Sequence, residues 1–324
     1  MKVLLTGASG FVGSHILDTL LAAGISTRVL LRSTSGTVYI PKPGPLLDMS
    51  RGSVEDSSSL RAALEGITHV IHCAGAVKAL TKEGFYAVNQ LGTRNLVEAA
   101  NATPGLQRFV LISSLAAAGP ASPESPAREA QSPNPVSEYG RSKLAGEREV
   151  IDQCKSDYVI LRPPAVYGPR DTEFHQLFQA VRRHIRPMPP VQPLSLVFVK
   201  DLAGAVVHCL SNGGASRKVF FVAHPEVVTA EWMAQAIART MSTWTVPVPI
   251  PMLLLSGLCL LNEGIARMTS KPRVLSLGKI PEIRAPAWVC DPTRLRTETG
   301  YECSTSAQAG LRQTLDWYRK EGWL

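Results

Sequence analysis

The sequence predicts an α/β fold in which helices cover both faces of a mostly parallel β-sheet. Short apolar runs alternate with segments whose apolar residues recur at helical spacing, and this alternation is typical of a doubly wound sheet. The predicted strands are residues 2–6, 27–32, 70–73 and 109–113, and the predicted helices between them include 11–23, 56–66 and 96–100. Gly24 is expected to end the first of these helices, and Asp56 or Ser57 to begin the second.

The composition describes a chain with a substantial core and an excess of positive charge. Of the 324 residues, 45% are hydrophobic and 19% are charged, with a net charge of +8. That excess favours an anionic cofactor, a nucleotide or an acidic membrane surface. No basic stripe with interleaved aromatic residues supports nucleic-acid binding. The six cysteines stand singly, so we expect reduced thiols in a cytoplasmic protein and no metal site. No apolar run is long enough to predict a membrane span.

A glycine-rich loop connects the first predicted strand to the first predicted helix. Gly7 suits a tight turn, Gly10 lets the backbone approach a pyrophosphate, and Gly13 permits close packing of helix on strand. The helix N-terminus adds unpaired amides and the positive end of its dipole. The loop therefore predicts a Rossmann-type dinucleotide site, to which we assign Gly7, Gly10, Phe11, Val12 and Gly13.

The end of the second predicted strand bears on the choice of cofactor. NAD enzymes usually carry an acid there that binds the ribose hydroxyls. This chain has Arg32 followed by Ser33 and Thr34, without a nearby carboxylate. A guanidinium can pair with a 2′-phosphate, so we favour NADP(H) over NAD(H).

Tyr139 and Lys143 are four positions apart and share one face if the segment is helical. A free tyrosine is a poor base at neutral pH. We expect the lysine ammonium and an oxidised nicotinamide to stabilise the phenolate and lower the pKa of Tyr139. Ser114 follows a predicted strand that ends at the same crevice and can bind the substrate oxygen. These three residues are the predicted catalytic group.

Several motifs together resemble the extended short-chain dehydrogenase/reductase superfamily. They are the glycine loop, Cys73–Ala74–Gly75, Asn89, Ser114, Tyr139, Lys143 and the run LRPPAVYG at 161–168. The resemblance runs over nearly the whole chain. It implies that Ser114 polarises the substrate oxygen, that Tyr139 is the acid or base, and that Lys143 holds the nicotinamide ribose.

The resemblance also implies further cofactor contacts. Ser53, Val54, Cys73, Ala74 and Gly75 would lie along the adenosine half. Asn89 would also belong to the cofactor site, and Pro163 and Val166 would lie near the nicotinamide. Cys73 stands where the superfamily often has Asn, and Ser53 where an adenine-binding Asp is common.

The substrate is indicated less directly. Nucleotide-sugar epimerases of the superfamily commonly carry an Asn that binds the diphosphate, and Ala165 stands at that position. The layout resembles the 3β-hydroxysteroid and carboxysterol dehydrogenase branch more closely. We therefore expect interconversion of a secondary alcohol and a ketone on an apolar, sterol-like substrate. A nucleotide-sugar epimerase, dehydratase or reductase is the main alternative, and a cofactor-binding regulatory protein without turnover is the second.

The C-terminal half is expected to bind this substrate. We predict a cofactor domain over 1–165, with additions to its sheet from about 195–225, and a smaller, intermixed substrate-binding lobe over 166–324. An apolar helix is predicted at 251–268, where Met252, Leu253, Leu254, Leu255, Leu258 and Leu261 would line a pocket, rest on a membrane or pack in the core. A peripheral membrane contact through 251–273, involving Lys271 and Arg273, and a homodimer remain open alternatives.

Overall fold

The computed structural model describes residues 1–269 and 276–324. Lys271 and Arg273, named above for a membrane contact, lie outside the described residues. The strands are β1 Lys2–Thr6, β2 Ser26–Leu31, β3 Leu47–Arg51, β4 His69–His72, β5 Arg108–Ile112, β6 Asp157–Arg162, β7 Ala165–Tyr167, β8 Ile185–Met188, β9 Pro193–Phe198, β10 Lys218–Phe221, β11 Val227–Thr229 and β12 Val246–Pro249.

The helices account for most of the segments between these strands. They are α1 Phe11–Ala22, α2 Ser57–Ala63, α3 Lys82–Tyr86, α4 Gly92–Asn101, α5 Leu115–Ala118, α6 Glu138–Gln153, α7 Thr172–Arg182, α8 Val199–His208, α9 Ala230–Thr240, α10 Met252–Thr269, α11 Ile280–Arg284, α12 Thr293–Thr299 and α13 Ala307–Lys320. A π-helical turn, Ala87–Leu91, joins α3 to α4.

The predicted doubly wound parallel sheet is confirmed. Seven strands lie in the order β10-β6-β5-β4-β1-β2-β3, and every neighbouring pair is parallel. Both faces are covered, since alternate side chains of β1 such as Leu4 and Leu5 enter different core clusters. Because the strands are parallel, the residues after β1, β4, β5 and β6 meet at one edge, where the glycine loop begins.

The second half of the chain contributes to more than one sheet. β10 joins the edge of the seven-stranded sheet beside β6. β9 instead pairs with β7 and β11, and β8 pairs with β12 in a two-stranded ribbon. Trp288 connects to β9 through its backbone, because the Ser195 amide donates to the Trp288 carbonyl at 2.8 Å. These contacts bring the segment after α11 back to the carboxyl edge of the main sheet.

Candidate active site

A cavity of about 660 Å³ lies at the carboxyl edge of the main sheet and joins the glycine loop to the predicted catalytic group. The predicted site residues that line it are Gly7, Gly10, Phe11, Val12, Gly13, Cys73, Gly75, Ser114, Tyr139, Lys143, Pro163 and Val166. Other predicted residues lie outside this lining, namely Arg32, Ser53, Val54, Ala74 and Asn89.

The glycine loop has the backbone form that a dinucleotide pyrophosphate requires. Gly7 has φ +76°, and a Cβ there would lie 2.6 Å from the Ala74 amide nitrogen, so a side chain has no room. A Cβ on Gly13 would overlap the Gly7 carbonyl, which shows how closely α1 approaches the loop. Gly10 begins α1 without a side-chain cap, leaving the first amides of the helix available to an anion.

Two arginines stand at the carboxyl ends of β2 and β3. Arg32 is exposed immediately after β2, and Arg51, at the end of β3, is also exposed. The Arg51 Nη1 donates to the Arg32 carbonyl at 3.3 Å, so the two guanidinium-bearing residues are neighbours. Arg51 was missed by the sequence analysis because β3, with the mixed sequence LDMSR, gives a weak strand pattern.

Ser53, Val54 and Asn89 support the site from outside the cavity. Ser53 Oγ accepts from the Glu55 amide at 3.2 Å in the turn before α2, and Val54 is buried. Buried Asn89 binds both backbone groups of Ala76, accepting from its amide at 2.8 Å and donating to its carbonyl at 3.0 Å. Asn89 thus holds the loop after β4, one residue beyond Gly75.

The loop after β4 also carries Cys73 and Ala74. Burial raises the pKa of the Cys73 thiol to about 12, so this thiol stays protonated at neutral pH. The Ala74 amide donates to Thr6 Oγ1 at 3.1 Å, which fixes the loop against the end of β1.

Ser114 and Tyr139 are brought together by two helix starts. Ser114 caps α5, where its Oγ accepts from the Ala116 amide at 3.1 Å. Gly140, in the first turn of α6, lies so close to the Ala116 carbonyl that a Cβ there would clash. Burial raises the pKa of Tyr139 to about 12, while its hydrogen bond with Ser114 acts in the opposite direction. The predicted helix that carries Tyr139 and Lys143 is therefore present, and Tyr139 contacts Ser114.

Lys143 is buried beneath the cavity, where its Nζ donates to the Ile112 carbonyl at 2.7 Å. Burial lowers the pKa of Lys143 to about 8. The lowering of the pKa of Tyr139 that we expect from Lys143 together with an oxidised nicotinamide stays a prediction. Among the chain's own groups, burial disfavours the phenolate and the Glu282 carboxylate adds to that effect. The chain by itself keeps Tyr139 as a protonated phenol.

An ion pair that sequence reasoning missed lies below these residues. Glu147, one helical turn after Lys143, is completely buried and paired with Arg162 at 2.6 Å. The Ser113 hydroxyl donates to the same carboxylate. A second Arg162 nitrogen, Nε, donates to Glu147 at 2.9 Å, so the pairing is bidentate. The available signal was the spacing of Glu147 from Tyr139 and Lys143, because an acid on that inward face needs a buried partner.

Part of the cavity wall comes from the second half of the chain. Lys279 lies 5.3 Å from the centre of the Tyr139 ring and pairs with Glu282 at 2.6 Å. The Trp288 indole nitrogen donates to the Glu282 carbonyl at 3.0 Å. Apolar residues from both halves supply much of the remaining wall, with Val77 and Leu115 from the first half and Phe174, Leu194 and Ile283 from the second. No local motif predicts Lys279, Glu282 or Trp288, because they reach the cavity through long-range packing.

This fold and site define an NAD(P)-dependent oxidoreductase of the extended short-chain dehydrogenase/reductase superfamily, as the sequence resemblance implied. A family model described as the NAD dependent epimerase/dehydratase family matches residues 3–223. The chain belongs to that family, and it is therefore an enzyme of the oxidoreductase and epimerase type.

Named relatives of the chain differ in their substrates. The chain is 32% identical to the ceramide reductase of Caulobacter vibrioides over 99% of its own length and 96% of that protein. It is 31% identical to the UDP-glucose 4-epimerase of Vibrio cholerae over 77% of its length and 79% of the relative. Among solved structures, the UDP-glucose 4-epimerase of Thermus thermophilus in complex with NAD matches with a TM-score of 0.78 and 25% identity, covering 98% of this chain and 99% of the other.

Proposed function

We propose that this protein interconverts a secondary alcohol and a ketone on an apolar, lipid-like or sterol-like substrate, with NADP(H) as the cofactor. The observation that carries the proposal is the single cavity that joins the glycine loop, the Ser114–Tyr139 pair and a largely apolar wall. We further propose that residues 1–165 mainly bind the cofactor and that 166–324 mainly bind the substrate, which agrees with the origin of Lys279, Glu282 and Trp288.

The residues present suit a dinucleotide. The uncapped start of α1 and the closely packed Gly7 and Gly13 would receive the pyrophosphate, and Arg32 with Arg51 would pair with a 2′-phosphate. Asn89 would act on the cofactor through the Ala76 loop that it holds. Pro163 and Val166 would adjoin the nicotinamide, and Lys143 its ribose. When bound, the reduced cofactor supplies the hydride of ketone reduction.

Tyr139 would serve as the proton donor in the reductive direction. With a pKa of about 12 it is protonated at neutral pH, and its contact with Ser114 leaves both hydroxyls near one substrate oxygen. Ser114 would hold that oxygen while Tyr139 protonates it. In the reverse direction the same phenol oxygen would accept the proton, which needs the added positive charge of the oxidised cofactor to stabilise the phenolate.

The charges around the cavity favour a neutral, apolar substrate over a nucleotide sugar. Among the described lining residues the cations are Lys143 and Lys279, and each already has a partner, the Ile112 carbonyl and Glu282 respectively. Besides Glu282, the carboxylates Asp171 and Glu173 line the same cavity. The uncapped start of α1 would hold the cofactor pyrophosphate. A second, sugar-nucleotide diphosphate would meet Asp171 and Glu173, and Ala165, which also lines the cavity, lacks an amide to bind it.

The relatives support both the proposal and its rival. Proteins named ceramide reductase, sterol demethylase protein B and a farnesyl-dihydroquinoline ketoreductase are similar to this chain, and they favour an apolar substrate. The UDP-glucose 4-epimerases favour the nucleotide-sugar alternative. The second alternative, a regulatory protein without turnover, is not supported, because the chain belongs to a family of enzymes and binding alone does not require the Ser114, Tyr139 and Lys143 arrangement.

A substrate panel tests the proposal. Purified protein with NADPH should reduce apolar ketones of the sterol and long-chain acyl type, seen as loss of NADPH absorbance and recovery of the alcohol. UDP-glucose and UDP-galactose should neither interconvert nor protect the protein against thermal unfolding. Epimerisation of a UDP-sugar without net cofactor consumption would replace this function with the alternative.

A further inference from the structure

The helix α10 presents an apolar surface to solvent. Leu253 is 86% exposed and Leu261 is 61% exposed. With three neighbouring leucines they form what we call the leucine face, which consists of Leu253, Leu254, Leu258, Leu260 and Leu261. None of these side chains is among the described lining of the cavity. Of the three alternatives left open by the sequence, a pocket or core position does not fit the exposed Leu253, Leu254, Leu258 and Leu261.

The other side of α10 faces the protein. At 100° per residue, Met252, Cys259 and Ala266 lie opposite the middle of the leucine face. Cys259 and Ala266 are buried, and Met252 is partly buried. A helix on a protein surface in water normally turns its widest apolar stripe inward, whereas α10 turns five leucines outward. Such a large exposed apolar face is typical of a surface that another apolar phase covers.

The two-stranded ribbon beside α10 extends the apolar surface. The Ile250 amide, just before α10, donates to the Met188 carbonyl at the end of β8 at 2.9 Å. The ribbon exposes Ile185, Val246 and Val248. Exposed Trp244 stacks on His184 with ring centres 4.0 Å apart. An exposed tryptophan beside aliphatic side chains is typical of proteins at a membrane–water interface.

The segments that form this surface are poor in acidic residues, and Glu263 of α10 lies away from the leucine face. Residues 174–200 and 232–262 contain no Asp or Glu. Arg182 and Arg183, at the end of α7, are exposed, and Arg186 follows in β8. We call these three arginines the basic edge. The basic edge adjoins the start of the ribbon, at Ile185 and Val246, and α10 follows the end of the ribbon. A basic edge joined through an apolar ribbon to an apolar face complements a bilayer that contains anionic lipids.

We propose that the leucine face and the basic edge dock this protein on the surface of an anionic lipid bilayer. No described helix is long and apolar enough to span a membrane, so the contact is interfacial. The segments that follow β8 and α10 line the cavity. Leu194 follows β8, and Lys279 and Glu282 follow α10. From this placement we infer that an apolar substrate passes from the bilayer into the cavity, and this inference rests on the proposed function. The docking on the bilayer does not rest on the proposed function.

Vesicle binding by the full-length protein tests the docking. Sedimentation with vesicles of phosphatidylcholine and phosphatidylglycerol should recover the protein, and recovery should fall with added salt and with vesicles of phosphatidylcholine alone. The variant Leu254→Asp/Leu261→Asp should lose about tenfold or more of its partitioning. Arg182→Ser/Arg183→Ser should lose binding mainly to the anionic vesicles. Ile151→Asp and Arg312→Ser, exposed on α6 and α13, are matched controls that should bind as the unmodified protein does.

The outcomes separate the docking from the proposed function. Thermal unfolding and NADPH binding should be unchanged in the docking variants, which shows that they fold. Failure of the unmodified protein to bind either vesicle would overturn the docking, and so would a large loss of melting temperature in Leu261→Asp. Monomers from Leu254→Asp/Leu261→Asp where the unmodified protein dimerises would assign the face to a second copy instead. Vesicle binding without ketone reduction would leave the docking standing and overturn the function.

Discussion

The two sides of the cavity are built in opposite ways. On the cofactor side, Glu147 and Arg162 are buried as an ion pair, and buried Lys143 donates to the Ile112 carbonyl. On the substrate side, the segment from β12 to α10 turns leucine and valine outward and supplies the cavity only through the residues that follow. The contrast teaches that buried, paired charges lie beneath the predicted catalytic group, whereas the exposed apolar surface lies on elements that follow the sheet and carries the proposed docking.

The largest expected effect concerns the buried ion pair between Glu147 and Arg162. Arg162→Met leaves the Glu147 carboxylate buried without its partner, and this should lower the free energy of unfolding by about 3–5 kcal/mol. Urea unfolding of the purified protein measures the loss. In Arg162→Met/Glu147→Met the buried charge is gone, so more than half of the stability should return. Equal losses in the single and double variants would show that the pair does not act as a unit.

The next effect concerns Arg32 and Arg51, which are proposed to bind the 2′-phosphate of the cofactor. Arg32→Asp/Arg51→Ser removes both guanidinium groups and should weaken NADPH binding by at least about a hundredfold while strengthening NADH binding, since each charge-assisted contact contributes about 1.5–3 kcal/mol. The acid belongs at Arg32, because Leu31 is buried and an aspartate there would destabilise the fold. Calorimetric titration measures both affinities, with Arg61→Ser on α2 as the control. Equal NADPH and NADH affinities in the unmodified protein would remove both arginines from this role.

A smaller, pH-dependent effect follows from Lys143. Its pKa of about 8 means that the ammonium loses its proton above that pH, so kcat/KM for reduction should fall by about tenfold per pH unit there. Lys143→Met should be slow and lack this break, whereas exposed Lys155→Met should keep it. Because the pKa is lower folded than unfolded, the unfolded chain binds more protons between about pH 8 and the usual lysine pKa of 10.5. This residue's contribution to stability should therefore rise with pH across that window. If the fall in kcat/KM above about pH 8 persists in Lys143→Met, then a group other than Lys143 causes it.

The smallest expected effect is on the stability of the substrate side. Leu261→Asp on α10 should change the free energy of unfolding by about 0.5 kcal/mol or less, as exposed positions usually do. Leu311→Asp on α13, where the leucine is fully buried, should cost several kcal/mol. Comparable losses in both would show that the two regions do not differ as described.

The sequence predicts most of the cofactor side because its signals are local. Apolar runs, Gly24 after α1, Asp56 before α2 and the Tyr139–Lys143 spacing each report on a few adjacent residues, and the structure has the corresponding elements. β3 escaped prediction because an edge strand with partly polar sequence lacks a clear period.

The substrate side was harder to predict for a different physical reason. Lys279, Glu282 and Trp288 reach Tyr139 only through tertiary packing, which no spacing encodes. The helix at α10 was predicted, but an apolar pattern alone does not say whether the apolar residues face the core, a pocket or a membrane.

The most direct test of the central claim is the turnover of Tyr139→Phe with NADPH and an apolar ketone reduced by the unmodified protein. The variant removes the proposed proton donor and little else, so kcat should fall by at least about a hundredfold. NADPH affinity by calorimetry should stay within about twofold, since the change leaves the glycine loop intact. The control Tyr86→Phe removes a hydroxyl that donates to Glu138 at 3.3 Å, and it should keep its turnover. Near-normal turnover in Tyr139→Phe would contradict the account, because the proton would then come from another group.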